Sequence, residues 1–247
     1  MRNALVAAVA LLLLAPVRAL AVGVDLNWDN CLFGPVNRVG DKSFACDSNT
    51  GGPFRIFGSI RTGVPVAVTG WEADLDIQVA SPVLDPWWQM GSGECREGGV
   101  SFAGLPADMP NVTSCNKTLM GVGTPIVGSS WVHLSYNYVR YHLGVLGATP
   151  VTMSATTKYQ LFRIDLNTSR TVADSDTPTA CAGCQDPACI QIRQVELHAP
   201  SVSPGGIAYY FVPELASFVS WQEVSPYDCV ATPTTHTTWG QIKSLYR

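Results

Sequence analysis

Short runs of alternating apolar and polar residues fill most of this chain, and Gly, Pro, Asn and Asp separate them. Val22 to Trp28 has an apolar residue at nearly every second position, and a longer run extends from Trp71 to Val79. Alternation with a period of two predicts β-strands that have one face on a core. Further strands are predicted at 54–60, 64–68, 100–102, 130–134, 137–146, 157–166, 190–197, 208–212 and 218–222.

About ten short strands at this spacing predict an all-β fold, an antiparallel two-sheet sandwich of jelly-roll-like type. No sustained apolar period of 3.6 residues occurs inside the chain. The C-terminus is the exception, because Trp239, Ile242 and Tyr246 fall at helical spacing after a capping Thr238. This segment therefore predicts either a short C-terminal helix or a last edge strand.

The N-terminus has the features of a secretory signal peptide. A positive start, Met1-Arg2-Asn3, precedes an apolar run from Ala4 to Ala15 and an A-x-A cleavage site at 19–21. The apolar run is too short to cross a hydrocarbon core of about 30 Å as a helix. We therefore expect a signal peptide at 1–21 and a single domain at 22–247, secreted to the periplasm, the outer surface or the medium.

Charge argues against a nucleic-acid partner. Residues 1–21 contain two of the 15 Lys and Arg residues and none of the 19 Asp and Glu residues, so the mature chain would carry a formal charge of −6. Binding to phosphates needs a clustered basic surface, and none is visible in the sequence.

Eight cysteines in an exported chain predict a disulfide framework. Three of them lie within nine residues, Cys181 to Cys189, just before a strand-like run. Proximity in sequence favours two local bridges and leaves four cysteines for two more. The predicted pairs are Cys31–Cys46, Cys95–Cys115, Cys184–Cys189 and Cys181–Cys229.

The competing interpretation of the cysteines is a zinc site. Cys181 and Cys184 have the C-x2-C spacing of a zinc half-site, and Cys189, Cys229 or His198 could complete a tetrahedron. Neighbouring thiols in an oxidising compartment usually become disulfides. We therefore expect no metal at these cysteines.

No catalytic signature stands out, and the best candidates are three acids on one predicted strand. Glu72, Asp74 and Asp76 would share one face at about 6.5–7 Å spacing, and paired carboxylates serve glycoside hydrolysis. Their E-x-D-x-D order resembles the E-x-D-x-E strand motif of laminarinase-type glycosidases, which are jelly rolls. Here the last acid is Asp instead of Glu, so its reach is shorter. A solvated strand face would show the same pattern.

A calcium loop is the one cofactor site that the sequence suggests. Asp25, Asn27 and Asp29 resemble the start of such a loop, to which 174–176 could add oxygens. The remaining EF-hand positions hold Asn30 and Val36 in place of Gly and an acid. We therefore expect at most a structural calcium ion, and no other cofactor.

Tryptophans offer a candidate ligand-binding surface. Trp87 and Trp88 follow a proline in a predicted loop, where exposed indoles would form a platform for sugars. The alternative is that they belong to the core, as tryptophans in sandwiches commonly do.

Three segments resemble a group of uncharacterised secreted bacterial proteins. They are W-D-x-C at Trp28 to Cys31, C-x-G-C-x-x-P-x-C-I at Cys181 to Ile190, and T-W-G-x-I-K-S-L-Y-R at Thr238 to Arg247. The resemblance implies export and a shared fold, and it carries no known activity.

The sequence as a whole favours a secreted, non-catalytic binding or structural protein of the cell envelope or extracellular space. A glycan or another envelope protein is the expected partner. The alternative is a carbohydrate-active hydrolase that uses Glu72, Asp74 and Asp76.

Overall fold

Strands account for nearly all regular structure in the part of the chain that the structure describes. The computed structural model describes residues 23–31, 39–103, 117–118, 126–200, 207–211 and 218–222. Within these ranges the strands are β1 Gly23–Trp28, β2 Asp41–Lys42, β3 Phe54–Arg61, β4 Val66–Val79, β5 Val100–Ala103, β6 Lys117–Thr118, β7 Ile126–Ser135, β8 Tyr138–Met153, β9 Tyr159–Leu166, β10 Ala188–Ala199, β11 Ile207–Phe211 and β12 Phe218–Trp221. One short 3₁₀ helix spans Pro86–Trp88.

The described strands form two sheets, which confirms the predicted all-β sandwich. The first sheet has the order β1-β3-β9-β5, and β6 also pairs with β9. The second has the order β2-β12-β10-β4-β8-β7, and β11 also pairs with β10. Nearly all pairs are antiparallel; β2 with β12 and β6 with β9 are parallel.

Strand β4 is the centre of the second sheet and follows the predicted alternation. Trp71, Leu75 and Ile77 are buried on its inner face, and the acids between them lie on the outer face. The sequence suggests a break before Trp71, whereas the structure has one strand of 14 residues with a register shift at Gly70. An added Cβ at Gly70 would lie 2.5 Å from the carbonyl oxygen of Val145, so glycine permits this irregularity.

Aromatic side chains from both sheets meet in the core. Trp28 of β1 and Trp221 of β12 both contact Phe44, with ring centroids 4.9 and 4.2 Å apart. At another part of the core, Trp71 lies 5.8 Å from Phe162 of β9. Burial of aromatic surface from both layers is what holds the sheets together.

Two disulfides join Cys46 to Cys184 and Cys95 to Cys181. All four predicted pairs are wrong, because each of them contains one of these four cysteines with a different partner. Cys31 and Cys189 are also disulfide-bonded, so the six described cysteines are oxidised. The zinc hypothesis at Cys181 and Cys184 is therefore wrong for these residues, since neither sulfur is a free thiolate.

The pairing follows from tertiary structure and not from sequence proximity. Strand β2 pairs with β12, which brings Cys46 beside Gln222; the Gln222 amide donates to the Cys184 carbonyl at 3.1 Å and lies 3.3 Å from the Cys46 sulfur. Within the Cys181–Cys184 segment, Gly183 has a φ of +106°, and an added Cβ there would overlap Asp85. The two bonds therefore fix this segment to two distant loops.

Some sequence predictions lie outside the described residues. They include the signal peptide at 1–21, the cysteines Cys115 and Cys229, and the C-terminal helix or strand at 238–246. Within the described ranges, no helix is long and apolar enough to cross a membrane.

Candidate functional site

The three candidate acids lie on the outer face of the second sheet, between β8 and β10. Asp74 is opposite His142 and Asp76 is opposite Arg140 on β8. Glu72 is opposite Glu196 on β10. Cross-strand neighbours on one face are close enough for their side chains to interact, so every acid has charged neighbours. We call the set Glu72, Asp74, Asp76, Tyr138, Arg140 and His142 the carboxylate network.

Asp76 is the most tightly held member of the carboxylate network. It is 5% exposed, and Arg140 donates to both of its oxygens, from Nε at 2.7 Å and from Nη2 at 3.0 Å. The Tyr138 hydroxyl donates to the same carboxylate. The hydrogen bond to Asp76 raises the pKa of Arg140. Burial, followed by the same carboxylate, raises the pKa of Tyr138 to about 12.

Two histidines surround the other two acids. His142 Nδ1 lies 2.7 Å from Asp74, which is 8% exposed, and His142 Nε2 lies 3.7 Å from Glu72. On the other side of Glu72, His198 Nε2 lies 3.4 Å from its carboxylate. Glu72 is the most accessible of the three acids, with a side chain 38% exposed.

This arrangement supports strand cohesion better than catalysis. A bidentate Arg–carboxylate pair is one of the strongest charge-assisted contacts in proteins, and it occupies both oxygens of Asp76. A glycosidase needs one acid that holds a transferable proton and one free carboxylate beside a sugar-sized cleft. The cleft described next is lined by none of the three acids.

A shallow cleft of about 560 Å³, open to solvent, lies at the end of β7. We call it the β7 cleft. It is lined by Val83, Leu84, Gln89 and residues 133–136. Three of its apolar residues are exposed: Tyr136 at 85%, Val83 at 59% and Leu134 at 44%.

Hydrogen bonds and an ion pair fix the walls of the β7 cleft. The backbone N–H of Leu84 donates to the Tyr136 carbonyl at 2.6 Å, which joins the loop after β4 to the β7–β8 turn. The Gln89 amide donates to the Leu84 carbonyl at 2.9 Å. His133 Nε2 pairs with Glu94. The cleft thus combines an exposed aromatic ring with polar groups held in place.

The predicted indole platform at Trp87 and Trp88 is wrong. Both residues are fully buried, and the Trp87 ring centroid lies 4.7 Å from that of Trp221 in the core. The Trp87 indole N–H donates to Thr171 Oγ1 at 3.1 Å. The 3₁₀ helix turns both rings inward, so neither can stack on a ligand in solvent.

Arg96 is an unusual buried cation next to Trp87. It is 1% exposed, and its guanidinium lies 3.6 Å from the Trp87 ring centroid. It donates to the carbonyls of Trp87 at 2.9 Å, Ser169 at 3.0 Å and Asn167. Burial lowers the pKa of Arg96 to about 9, so it remains charged at neutral pH. It connects the loops around the Cys95–Cys181 bond.

The three calcium candidates contact different neighbours. Asp25 and Asn27 are buried on the outer face of β1, and the Asn27 side-chain oxygen accepts the Val39 N–H at 3.1 Å. Asp29 lies beyond the strand with a φ of 59°, and its carboxylate pairs with Lys42. Among the described residues, no three His, Cys, Asp or Glu side chains are placed to hold a metal ion.

Sequence reasoning missed the partners of the acids and the residues of the β7 cleft. The partners of the acids could have been recognised as a group, because Tyr138, Arg140 and His142 alternate along β8 and so share one face. Tyr136 carried a weaker sequence signal, as an aromatic residue at a turn between two strands. The hydrogen bond from Leu84 to that turn had no sequence signal.

Comparisons with known proteins assign no family to this chain. No protein-family model, curated protein or solved structure matches it. Its function therefore has to be argued from its own residues.

Proposed function

We propose that this protein is a secreted, non-catalytic binding module of the extracellular space or cell envelope that takes a glycan at the β7 cleft. The observation that carries the proposal is Tyr136, a residue that is 85% exposed and lines the β7 cleft. Exposed Val83 and Leu134 line the same cleft, and neighbouring exposed apolar residues of this kind mark contact sites.

The chemistry of the β7 cleft suits a sugar. The apolar C–H face of a pyranose packs on an aromatic ring, and its hydroxyls need fixed polar partners nearby. Tyr136 supplies the ring, and Gln89 and His133 supply polar groups whose orientations are set by Leu84 and Glu94. A few placed polar groups in an apolar cleft are the usual composition of a small-ligand site.

Export is supported by the oxidised cysteines. The two described bonds join residues 138 and 86 positions apart in sequence, and structural disulfides persist in oxidising compartments. A disulfide-clamped scaffold with a ready-formed cleft needs no further ordering on binding, which favours affinity.

The test is retention of the mature protein in native gels that contain single polysaccharides, from a panel covering cellulose, xylan, mixed-linkage β-glucan, chitin and peptidoglycan. We expect retention on one of these, weakened about tenfold or more in Tyr136→Ala through loss of ring stacking. Val64→Ala is the matched control, since Val64 is 58% exposed on another loop. No retention on any polysaccharide, or equal retention by Tyr136→Ala, contradicts the proposal.

The same panel tests the hydrolase alternative. Release of reducing ends by the parent protein but not by Glu72→Gln would replace the binding proposal with a glycosidase that uses the carboxylate network. We expect no release by either protein, because Arg140 and His142 occupy the acids next to Glu72.

A further inference from the structure

Strand β7 has a long free edge. It is the last strand in its sheet and pairs only with β8 among the described strands. At ten residues it is longer than the other end strands of the two described sheets, β1, β2 and β5, which have six, two and four residues. No hydrogen bond joins its outward-facing backbone to another described residue.

Natural proteins usually protect such an edge with Pro, Lys, an early bulge or a covering loop. Residues 126–135 contain neither Pro nor a Lys, Arg, Asp or Glu residue. The register shift in β7 comes only at His133 to Ser135, so 127–133 stay regular. Residues 128–130 are exposed, and no loop within the described ranges covers this stretch. A free, uncharged and regular edge is a template for another strand.

The small and large side chains of β7 are arranged so that they complement each other in an antiparallel pair of two copies of this strand. Gly128, Ser129 and Ser130 are small, whereas Trp131 and Val132 are large. In an antiparallel self-pair centred on Ser130, Trp131 lies opposite Ser129 and Val132 lies opposite Gly128. Trp131 and Val132 then each meet a small residue, the two Ser130 residues face each other, and Val127 lies opposite His133 at either end of the pair.

We propose that two copies of this chain form a dimer by antiparallel pairing of β7 with β7 about Ser130. The pairing uses residues 127–133 of each copy and joins the two second sheets into one continuous sheet. Since the strand is uncharged apart from His133 when that residue is protonated, no like charges oppose each other at the centre. Val132, which is 46% exposed in one chain, becomes covered. The paired stretch shares only His133 with the lining of the β7 cleft, and the tests below measure association of the chain without any glycan.

The first test is the mass of the mature, disulfide-bonded protein by sedimentation velocity over a wide concentration range. We expect a reversible monomer–dimer equilibrium. Val132→Lys, which adds the charge that natural edges carry, should raise the dimer dissociation constant about tenfold or more. Val64→Lys, at an exposed position away from β7, should leave it unchanged. Far-ultraviolet circular dichroism checks that both variants fold.

The second test is the register. The centre of the proposed pair places the two Ser130 Cα atoms about 4.5–5.5 Å apart, within disulfide reach. Ser130→Cys should therefore cross-link into a covalent dimer under mild oxidation, with a new peptide that links residue 130 to itself. Val132→Cys, which faces Gly128 of the other copy, is the matched control and should cross-link far less.

Each result decides the proposal. A protein that stays monomeric at all concentrations overturns it and leaves β7 to a different partner. A dimer that Val132→Lys does not weaken, or in which Val132→Cys cross-links as fast as Ser130→Cys, overturns the β7 pairing and its register.

Discussion

At the scale of single residues, one buried cation and one partly buried carboxylate show how this protein accommodates charged groups. Arg96 has no described carboxylate partner and instead donates to three backbone carbonyls beneath the Cys95–Cys181 bond. Asp85 has a buried side-chain oxygen, Oδ2, without a hydrogen bond in the described structure. Hydrogen bonds satisfy the Arg96 guanidinium, whereas Asp85 Oδ2 accepts none. Removal of the two charges should therefore have opposite effects on the free energy of unfolding.

Arg96→Met should destabilise the fold. Methionine retains much of the side-chain volume but removes the donors, which leaves buried carbonyls of Trp87, Ser169 and Asn167 unpaired. We expect a loss of about 3 kcal/mol in the free energy of unfolding, measured by urea titration of the oxidised protein. Arg170→Met is the control, since Arg170 makes one exposed contact, to the Cys95 carbonyl at 3.0 Å. Equal losses in both variants would contradict a structural role for Arg96.

Asp85→Asn should make the protein more stable at neutral pH. Burial, and then the charge of Asp186, raise the pKa of Asp85 above its ordinary value of 3.8. The folded state therefore holds this proton more tightly than the unfolded chain. That contribution to stability is complete below pH 3.8 and is lost as the pH rises through the folded pKa.

The measurement is urea unfolding of Asp85→Asn and parent protein from neutral pH down to about pH 4. The advantage of the variant should shrink as the pH falls through the folded pKa of Asp85. Asp47→Asn, at an exposed position, should follow the parent throughout. A variant less stable than the parent at neutral pH would show that the Asp85 carboxylate is favourable to the fold.

At the scale of strands, the local sequence pattern predicted where strands lie and which residues share a face, but it did not predict which strands pair. Alternation placed the end of β4 and the start of β8 within one residue of their observed positions, and it missed the first five residues of β4 as part of that strand and the last seven of β8. It also put the acids of β4 on one face, because side-chain direction in a strand depends only on neighbouring residues. The partners Arg140 and His142 depend on which strand lies beside β4, and that is a tertiary property. The same limit explains the wrong disulfide pairs and the burial of Trp87.

The carboxylate network should stabilise the pairing of β4 with β8. A double-mutant cycle of Asp76→Asn and Arg140→Gln should give a coupling of about 1–3 kcal/mol in unfolding free energy, because the pair is bidentate and Asp76 is 5% exposed. Arg55 and Asp165, a pair at 3.6 Å with Arg55 largely exposed, should give less than about 1 kcal/mol. Equal coupling free energies in the two pairs would argue against this stabilising role.

At the scale of the whole molecule, the Cys181–Cys184 segment is the point where distant parts of the chain are joined. One disulfide ties it to the loop after β2, and the other ties it to the loop that carries Arg96. Backbone hydrogen bonds from Trp87 to Ala182 at 2.8 Å and from Cys181 to Arg170 at 2.7 Å reinforce it. In the proposed dimer, this scaffold would present two β7 cleft sites, and two linked sites bind a repeating glycan more tightly than one.

Removal of either described disulfide should therefore weaken the entire fold. The loops closed by Cys46–Cys184 and Cys95–Cys181 are long, with sequence separations of 138 and 86. On the chain-entropy model each bond contributes about 4–5 kcal/mol. We expect losses of this order in urea unfolding of Cys46→Ser with Cys184→Ser and of Cys95→Ser with Cys181→Ser.

Peptide mapping of the unreduced parent protein identifies the bonds directly. Linked peptides containing Cys46 with Cys184, and Cys95 with Cys181, are expected in the digest. A peptide pair that joins Cys184 to Cys189 would contradict the arrangement, and so would a loss below about 1 kcal/mol in either double variant. Both bonds have one cysteine in the Cys181–Cys184 segment, to which the Trp87 backbone is hydrogen-bonded. Both double variants should therefore also loosen the packing of Trp87. Fluorescence quenching should then show greater tryptophan exposure before global unfolding.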